Sequence, residues 1–335
     1  MFKRKIRKAA LQCGNYIFPL FPSILIHRLP RTLVIEPTNV CMLHCRACAT
    51  VNNPVREKGY MPLSLFRKIL RQIDWDLKTI NFSYAGEPLL NRDIFKMIKL
   101  ANEKRLRSNI ETNGMLLEER ADEILDSGLC KLNIAFDGIS QDSVSKYRKG
   151  IDFTRVISGI NHLVQKKKKL ALRFPEIHLQ FIVMKHNELE IPEAMRIAQR
   201  IGVESIDFKS FILTGGIWLN RQGINAFAEE YLPKNEKFSR YSLQGRSWVL
   251  KKHLQGVCPY AFSAMVIMWD GNVTACTMDV NGDYIVGNLN RERLRDIWLS
   301  NNYTELRKNI LTKKAPQCKE CAYLVDHFID MRTGK

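Results

Sequence analysis

The sequence predicts an α/β fold, a partial (β/α)6 TIM-like barrel over residues 32–210 followed by a small C-terminal domain from residue 258. Three observations carry this reading. Short runs rich in β-branched and aromatic residues alternate six times with segments of helical periodicity from residue 32 onward. The alternation stops after residue 210, where Gly215, Gly216, Gly223, Pro233 and Gly245 interrupt the chain. Seven of the nine cysteines fall in two groups, one just after the first β-rich run and one from Cys258 onward.

Taken in order, the β-rich runs are 32–36, 78–84, 107–112, 131–136, 177–184 and 203–209. Helices are expected at 62–73, 93–104, 117–126, 153–168 and 191–201. In the second of these, Ile94, Met97, Ile98 and Ala101 share one face. Six such units make an open barrel rather than a closed eightfold one, and in parallel βα sheets the reactive groups gather at the C-terminal ends of the strands. Residues 1–31 read as an N-terminal arm and 211–257 as a connector. MWDGNVTAC predicts a hairpin turning at Asp270 and Gly271 that presents Cys276.

A chain of 335 residues with 45% hydrophobic content has enough apolar surface for a full core. Its net charge of +18 favours an acidic partner. The basic runs at 3–8 and 166–169 read as solvated helix faces or tails rather than nucleic-acid sites. The apolar run at 16–26 is only eleven residues long and holds Pro19 and Pro22, against the roughly 20 residues that a bilayer span needs. No small-residue cleavage site follows it. It reads as an arm that packs on the body, with peripheral contact at a membrane surface as the alternative. Nine cysteines without an export signal point to the cytoplasm, where thiols stay reduced, and their spacing points to metal.

Cys41, Cys45 and Cys48 stand as C-x3-C-x2-C in a loop beyond the first strand. Three thiolates so placed hold three corners of a cubane and leave one iron open to an external ligand. The alternatives are zinc completed by His44 and plain buried cysteines, but structural zinc normally uses two separated pairs or a fourth ligand at ordinary spacing. Cys258, Cys276, Cys318 and Cys321 form the second group, with one close pair where a zinc ribbon would show two. Cys13 and Cys130 have no cysteine neighbours and read as packing residues.

With these motifs the sequence resembles the radical S-adenosylmethionine (SAM) superfamily. The resemblance covers roughly residues 32–210 and extends beyond the triplet. In AGEPLL, Gly86 and Glu87 match the family's Gly-Gly-Glu motif, which implies that Glu87 meets the SAM amino group. ETNG implies that Asn113 contacts the SAM ribose or carboxylate. NIAFDG resembles the Ser-x-Asp-Gly segment with Ala135 in place of Ser, and Arg148 in YRKG matches an arginine that pairs with the SAM carboxylate. Ala47 stands where an aromatic residue often stacks near adenine. The second cysteine group resembles the SPASM/twitch iron-sulfur extension in its shorter, single-cluster form, and its spacing is close to that of twitch aminocyclitol dehydrogenases.

The resemblance implies two 4Fe-4S clusters and SAM, with a 5'-deoxyadenosyl radical abstracting hydrogen from a substrate C–H bond. It implies an oxidoreductase acting on a sugar- or cyclitol-like alcohol, the auxiliary cluster accepting an electron. The alternative is a SPASM-type maturase of a ribosomal peptide; a zinc-stabilised nucleic-acid-binding protein is the remote one. The partners are then a small-molecule or peptide substrate and a flavodoxin- or ferredoxin-type electron donor. No catalytic base is assigned: His178, His186 and Asp207 read as structural.

Overall fold

The computed structural model describes residues 29–52, 55–213, 221–251 and 260–312, together with residues 258, 314, 318, 321, 322 and 329. The expected placement of the arm at 1–28 and of Cys13 lies outside them. Six parallel strands form the body: β1 (Thr32–Ile35), β2 (Thr79–Phe82), β3 (Arg107–Thr112), β4 (Lys131–Ala135), β5 (Glu176–Val183) and β6 (Ser205–Ser210). Between them run α1 (Leu63–Arg71), α2 (Ile94–Glu103), α3 (Ala121–Asp126), α4 (Phe153–Lys169) and α5 (Ile191–Ile201). The strand order is the sequence order, as right-handed βα crossovers require.

The helices form where an apolar stripe can face the sheet. In α1, Leu65, Phe66, Ile69 and Leu70 are buried while the charged residues face out. At the start of α4 the Asp152 side chain accepts the Arg155 amide at 3.0 Å, and four lysines in the last turn suit the negative end of the helix dipole. Gly202, at φ +86°, ends α5. In β5 every second residue is buried.

Two features differ from the expected layout. Within 211–257, α6 (Arg221–Tyr231) and an antiparallel hairpin of β7 (Tyr241–Gln244) and β8 (Ser247–Leu250) stand where a connector was expected. The C-terminal domain also continues the main sheet. β9 (Ala264–Ile267) pairs in parallel with β1, Leu33 facing Met265, and β10 (Asn272–Thr274) and β11 (Ile285–Asn288) extend it antiparallel. β9 covers what would be an open edge of β1 and gives a nine-stranded sheet. α7 (Leu294–Leu299) and α8 (Asn301–Leu311) follow, the Ser300 hydroxyl accepting the Tyr303 amide at the start of α8. No helix among the described residues is long and apolar enough to cross a membrane.

Candidate functional site

The cysteine triplet lies in the loop after β1, at the C-terminal end of the parallel strands. The next strand end braces that loop. Gly86, at φ +71°, lies so close to it that an added Cβ would stand 2.4 Å from the Thr38 carbonyl oxygen and 2.7 Å from that of Val40. Only glycine fits such a crossing. The Glu87 amide donates to the Val40 carbonyl at 2.8 Å.

Glu87, expected at the SAM amino group, is turned inward. One carboxylate oxygen accepts the Thr112 hydroxyl at 2.7 Å and the Leu89 amide at 3.1 Å, and the other accepts the Asn113 amide at 2.8 Å. The residue is 1% exposed, and burial raises its pKa against the pull of these donors. It ties the end of β2 to the end of β3, and the part of this motif that remains partly exposed is Gly86.

That tie positions Asn113. Its amide nitrogen lies 3.8 Å from the Cys41 sulfur and 3.1 Å from the Met42 sulfur, and its carbonyl oxygen accepts the Met115 amide. Arg148 approaches from the other side, Nη1 standing 3.9 Å from the Cys45 sulfur. Its Nε donates to Asp137 at 2.6 Å, and the other Asp137 oxygen accepts the Ile182 amide at 2.7 Å. Asp137 is fully buried and fixes the guanidinium toward the cysteine loop. Of the four residues expected at SAM, Asn113 and Arg148 bring polar atoms to the triplet, Gly86 packs against the backbone of its loop at Thr38 and Val40, and Glu87 braces Asn113 from beneath.

Two of the three thiols, those of Cys41 and Cys45, sit in a low-dielectric environment. Burial pushes Cys45 up to about 11, with Cys48 and Cys41 adding to the rise and Arg148 opposing it. Burial also raises Cys41, whose sulfur accepts the Leu43 amide at 3.4 Å. The second group converges in the same way. Burial drives Cys276 up to about 12, helped by Cys258 and Cys321; Cys318 goes to about 11, helped by Cys321 and Cys258. Cys258 and Cys318 pack on the same apolar cluster of Ala261, Phe262 and Ile310. The Cys276 sulfur accepts the Met278 amide at 3.4 Å, and Cys258 accepts from Tyr260 and Ala261. Sulfurs held in apolar surroundings with amides aimed at them suit an iron-sulfur cluster. Among the described residues no group of three or more His, Cys, Asp or Glu side chains is placed to hold a metal ion. Cys130 is half-buried rather than a core residue.

Two contacts missed by the sequence reading join the groups. Tyr84, just beyond β2, donates its hydroxyl to the Cys276 carbonyl at 3.3 Å. Glu36, just beyond β1, is fully buried, accepts both terminal nitrogens of Arg56 and accepts the Trp269 amide at 3.0 Å. Arg56 in turn donates Nε to the Val280 carbonyl at 2.9 Å. A carboxylate directly following a buried strand was the available signal for Glu36.

Fold and site thus define an iron-sulfur enzyme built on an open βα barrel, and comparison with known proteins gives its family. The Radical SAM superfamily model matches residues 35–196, and the SPASM model, an iron-sulfur cluster-binding domain, matches residues 258–322. The chain belongs to the radical SAM superfamily and carries a SPASM-type C-terminal domain, so its cofactors are SAM and 4Fe-4S clusters. It is similar to a tungsten-containing aldehyde ferredoxin oxidoreductase cofactor-modifying protein of Pyrococcus furiosus, at 25% identity over 87% of this chain and 86% of that protein. A probable GTP 3',8-cyclase of Methanocaldococcus jannaschii is 30% identical over 51% of this chain and 56% of its own length. Among solved structures, Streptococcus suis SuiB bound to its precursor peptide SuiA superposes with a TM-score of 0.64 at 16% identity, over 90% of this chain and 72% of that one. BtrN in complex with AdoMet and 2-DOIA does so at 0.54 and 18%, over 88% and 94%.

Proposed function

We propose that Cys41, Cys45 and Cys48 hold the cluster that binds SAM, and that Cys258, Cys276, Cys318 and Cys321 hold a single auxiliary 4Fe-4S cluster. The enzyme is then an oxidoreductase acting at a C–H bond of a sugar- or cyclitol-like alcohol. Bound together, SAM and the first cluster supply a 5'-deoxyadenosyl radical able to take a hydrogen atom from carbon.

The chain's own groups have defined tasks in this reading. Asp137 holds Arg148 so that its remaining N–H groups meet a carboxylate, the Gly86 backbone lines the SAM site, and Glu87 keeps Asn113 beside Cys41. Cys45 is buried and the other six thiols are half-buried, which limits the access of water to both centres. The observation that carries the redox assignment is the Tyr84 bridge: the strand end beside the SAM site touches the backbone of Cys276 directly. After the hydrogen atom has gone to the 5'-deoxyadenosyl radical, oxidising an alcohol carbon to a ketone requires a second electron and the hydroxyl proton to leave the substrate radical; a cluster held by the second cysteine group would take the electron, and solvent the proton.

The relative matched over most of its length is described as modifying a cofactor, which favours a non-peptide substrate. The second reading, a peptide maturase, draws on a PqqA peptide cyclase of Bradyrhizobium diazoefficiens, matched over 55% of this chain. We further infer a cytoplasmic enzyme with an acidic flavodoxin- or ferredoxin-type donor, steered by the net charge of +18 and slowed by added salt.

The deciding experiment is anaerobic turnover against panels of cyclitols, sugars and short peptides. 5'-deoxyadenosine release together with ketone from one alcohol is expected, and Cys276→Ala should keep the release but lose the ketone. Release with peptides alone would establish the maturase reading instead.

A further inference from the structure

The rim of the sheet remote from the cysteines carries a second concentration of chemistry. In a parallel sheet all strand N-termini share one rim. Here it holds Arg31 and Lys78 before β1 and β2, Arg105 and Arg107 at β3, Lys131 at β4 and Arg173 before β5, with the last turn of α4 ending beside them. Some of this charge is matched: Asp76 pairs with Arg31 and Lys78, Asp122 with Lys166, and Glu204 with Lys167. Lys168, Lys169 and Arg173 form no ion pair among the described residues.

These three belong to one protruding segment. Every residue from 168 to 174 is exposed, and Ala171, at φ +50°, turns the chain in its middle. Leu170 is 53% exposed, and Leu172 and Phe174 are 37% exposed each. Of the ten large apolar side chains exposed among the described residues, three lie within these five positions, so this is a patch rather than scatter. The Arg173 guanidinium sits 5.3 Å from the Phe174 ring centre, holding a cation beside the apolar tip. The chain also enters β1 from this rim through Leu29, Pro30 and Arg31, which follow residues 1–28 in the sequence. Residues 1–28 supply Lys3, Arg4, Lys5, Arg7 and Lys8 and the apolar run at 16–26.

We propose that this rim is a peripheral docking surface for acidic phospholipid, with Leu170, Leu172 and Phe174 entering the headgroup boundary and Lys168, Lys169 and Arg173 meeting the phosphates. Apolar tips alternating with cations suit a lipid interface, where both kinds of side chain find a partner. A soluble electron donor gains nothing at this rim, because the cysteine loops lie beyond the far ends of strands of four to eight residues, about 3.3 Å each. Docking this way leaves the cysteine face open to substrate and donor.

The test is flotation of the full-length, cluster-loaded protein with vesicles of phosphatidylcholine, with and without phosphatidylglycerol. Binding is expected only with the acidic lipid. Leu170→Ser/Leu172→Ser/Phe174→Ser leaves the charge unchanged and should weaken binding at least about tenfold. Lys168→Gln/Lys169→Gln/Arg173→Gln should weaken it about a hundredfold, roughly fivefold per charge. Lys96→Gln/Lys234→Gln/Lys237→Gln removes the same charge near the opposite rim and should stay within about twofold of wild type. Equal losses in the two charge variants, or no effect of the apolar variant, would overturn the proposal. So would an apolar variant that turns a dimer into a monomer in light scattering while vesicle binding persists.

Discussion

Glu87 separates what a motif tells from what a side chain does. The sequence located it correctly at a strand end beside the cysteine loop, but residue order says nothing about which way a carboxylate points. The structure turns it inward onto Leu89, Thr112 and Asn113, three donors that lie 2, 25 and 26 residues away. Replacing Glu87 with Gln puts an amide N–H against those donors. We expect a loss of about 2 to 3 kcal/mol in denaturant unfolding, accompanied by roughly tenfold weaker SAM binding as Asn113 loosens. Lost SAM binding at unchanged stability would mean that Glu87 touches the ligand directly. Asp137 was equally present in NIAFDG, and its role became visible only when folding set it against Arg148. His186 gives a pH test. Burial, then Lys146, lowers its pKa from 6.5, and its Nε2 has no hydrogen-bond partner among the described residues. The folded state therefore resists a proton that the unfolded chain accepts, so this contribution to stability is present above pH 6.5 and lost as pH falls below it. His186→Phe should flatten the decline of Tm below that pH; an unchanged slope would remove His186 from the explanation.

At the scale of elements, all six parallel strands were legible because buried β-rich runs separated by amphipathic helices have few other solutions. The triplet and AGEPLL were legible for a related reason, since their spacing places both at strand ends. α6 was missed although Ile224, Phe227, Ala228 and Tyr231 recur at helical spacing, because nearby glycines and Pro233 dominated the reading. The pairing of β9 with β1 was not readable at all. It joins residues more than two hundred positions apart, and a four-residue apolar run carries no signal of its partner. The Glu36–Arg56 pair reinforces that junction from within. Arg56→Met leaves the Glu36 carboxylate buried without its cation, and a loss of about 3 to 5 kcal/mol is expected. Adding Glu36→Gln should restore much of it. A single variant as stable as wild type in thermal unfolding would show that the pair is dispensable.

Across the whole molecule, one sheet carries both thiol groups. β1 and β2 lead into the loops of the cysteine triplet and of Gly86, β9 and β10 lead to Cys276, and Tyr84 and Arg56 cross between them. The sequence reading separated a barrel from a C-terminal domain, and the two family matches cover residues 35–196 and 258–322, yet the backbone makes these stretches neighbours in a single sheet. That arrangement suits a reaction in which one centre starts chemistry and the other takes up an electron. The substrate was not legible, because its specificity depends on the shape of the open strand-end face rather than on any spacing of residue types. The most direct measurement is iron and sulfide content of anaerobically reconstituted protein, with and without alanine at Cys41, Cys45 and Cys48. Two separate cubane sites require about eight irons falling to about four, with matching sulfide. Zinc without sulfide, or loss of all iron from the triple variant, would contradict two independently held clusters.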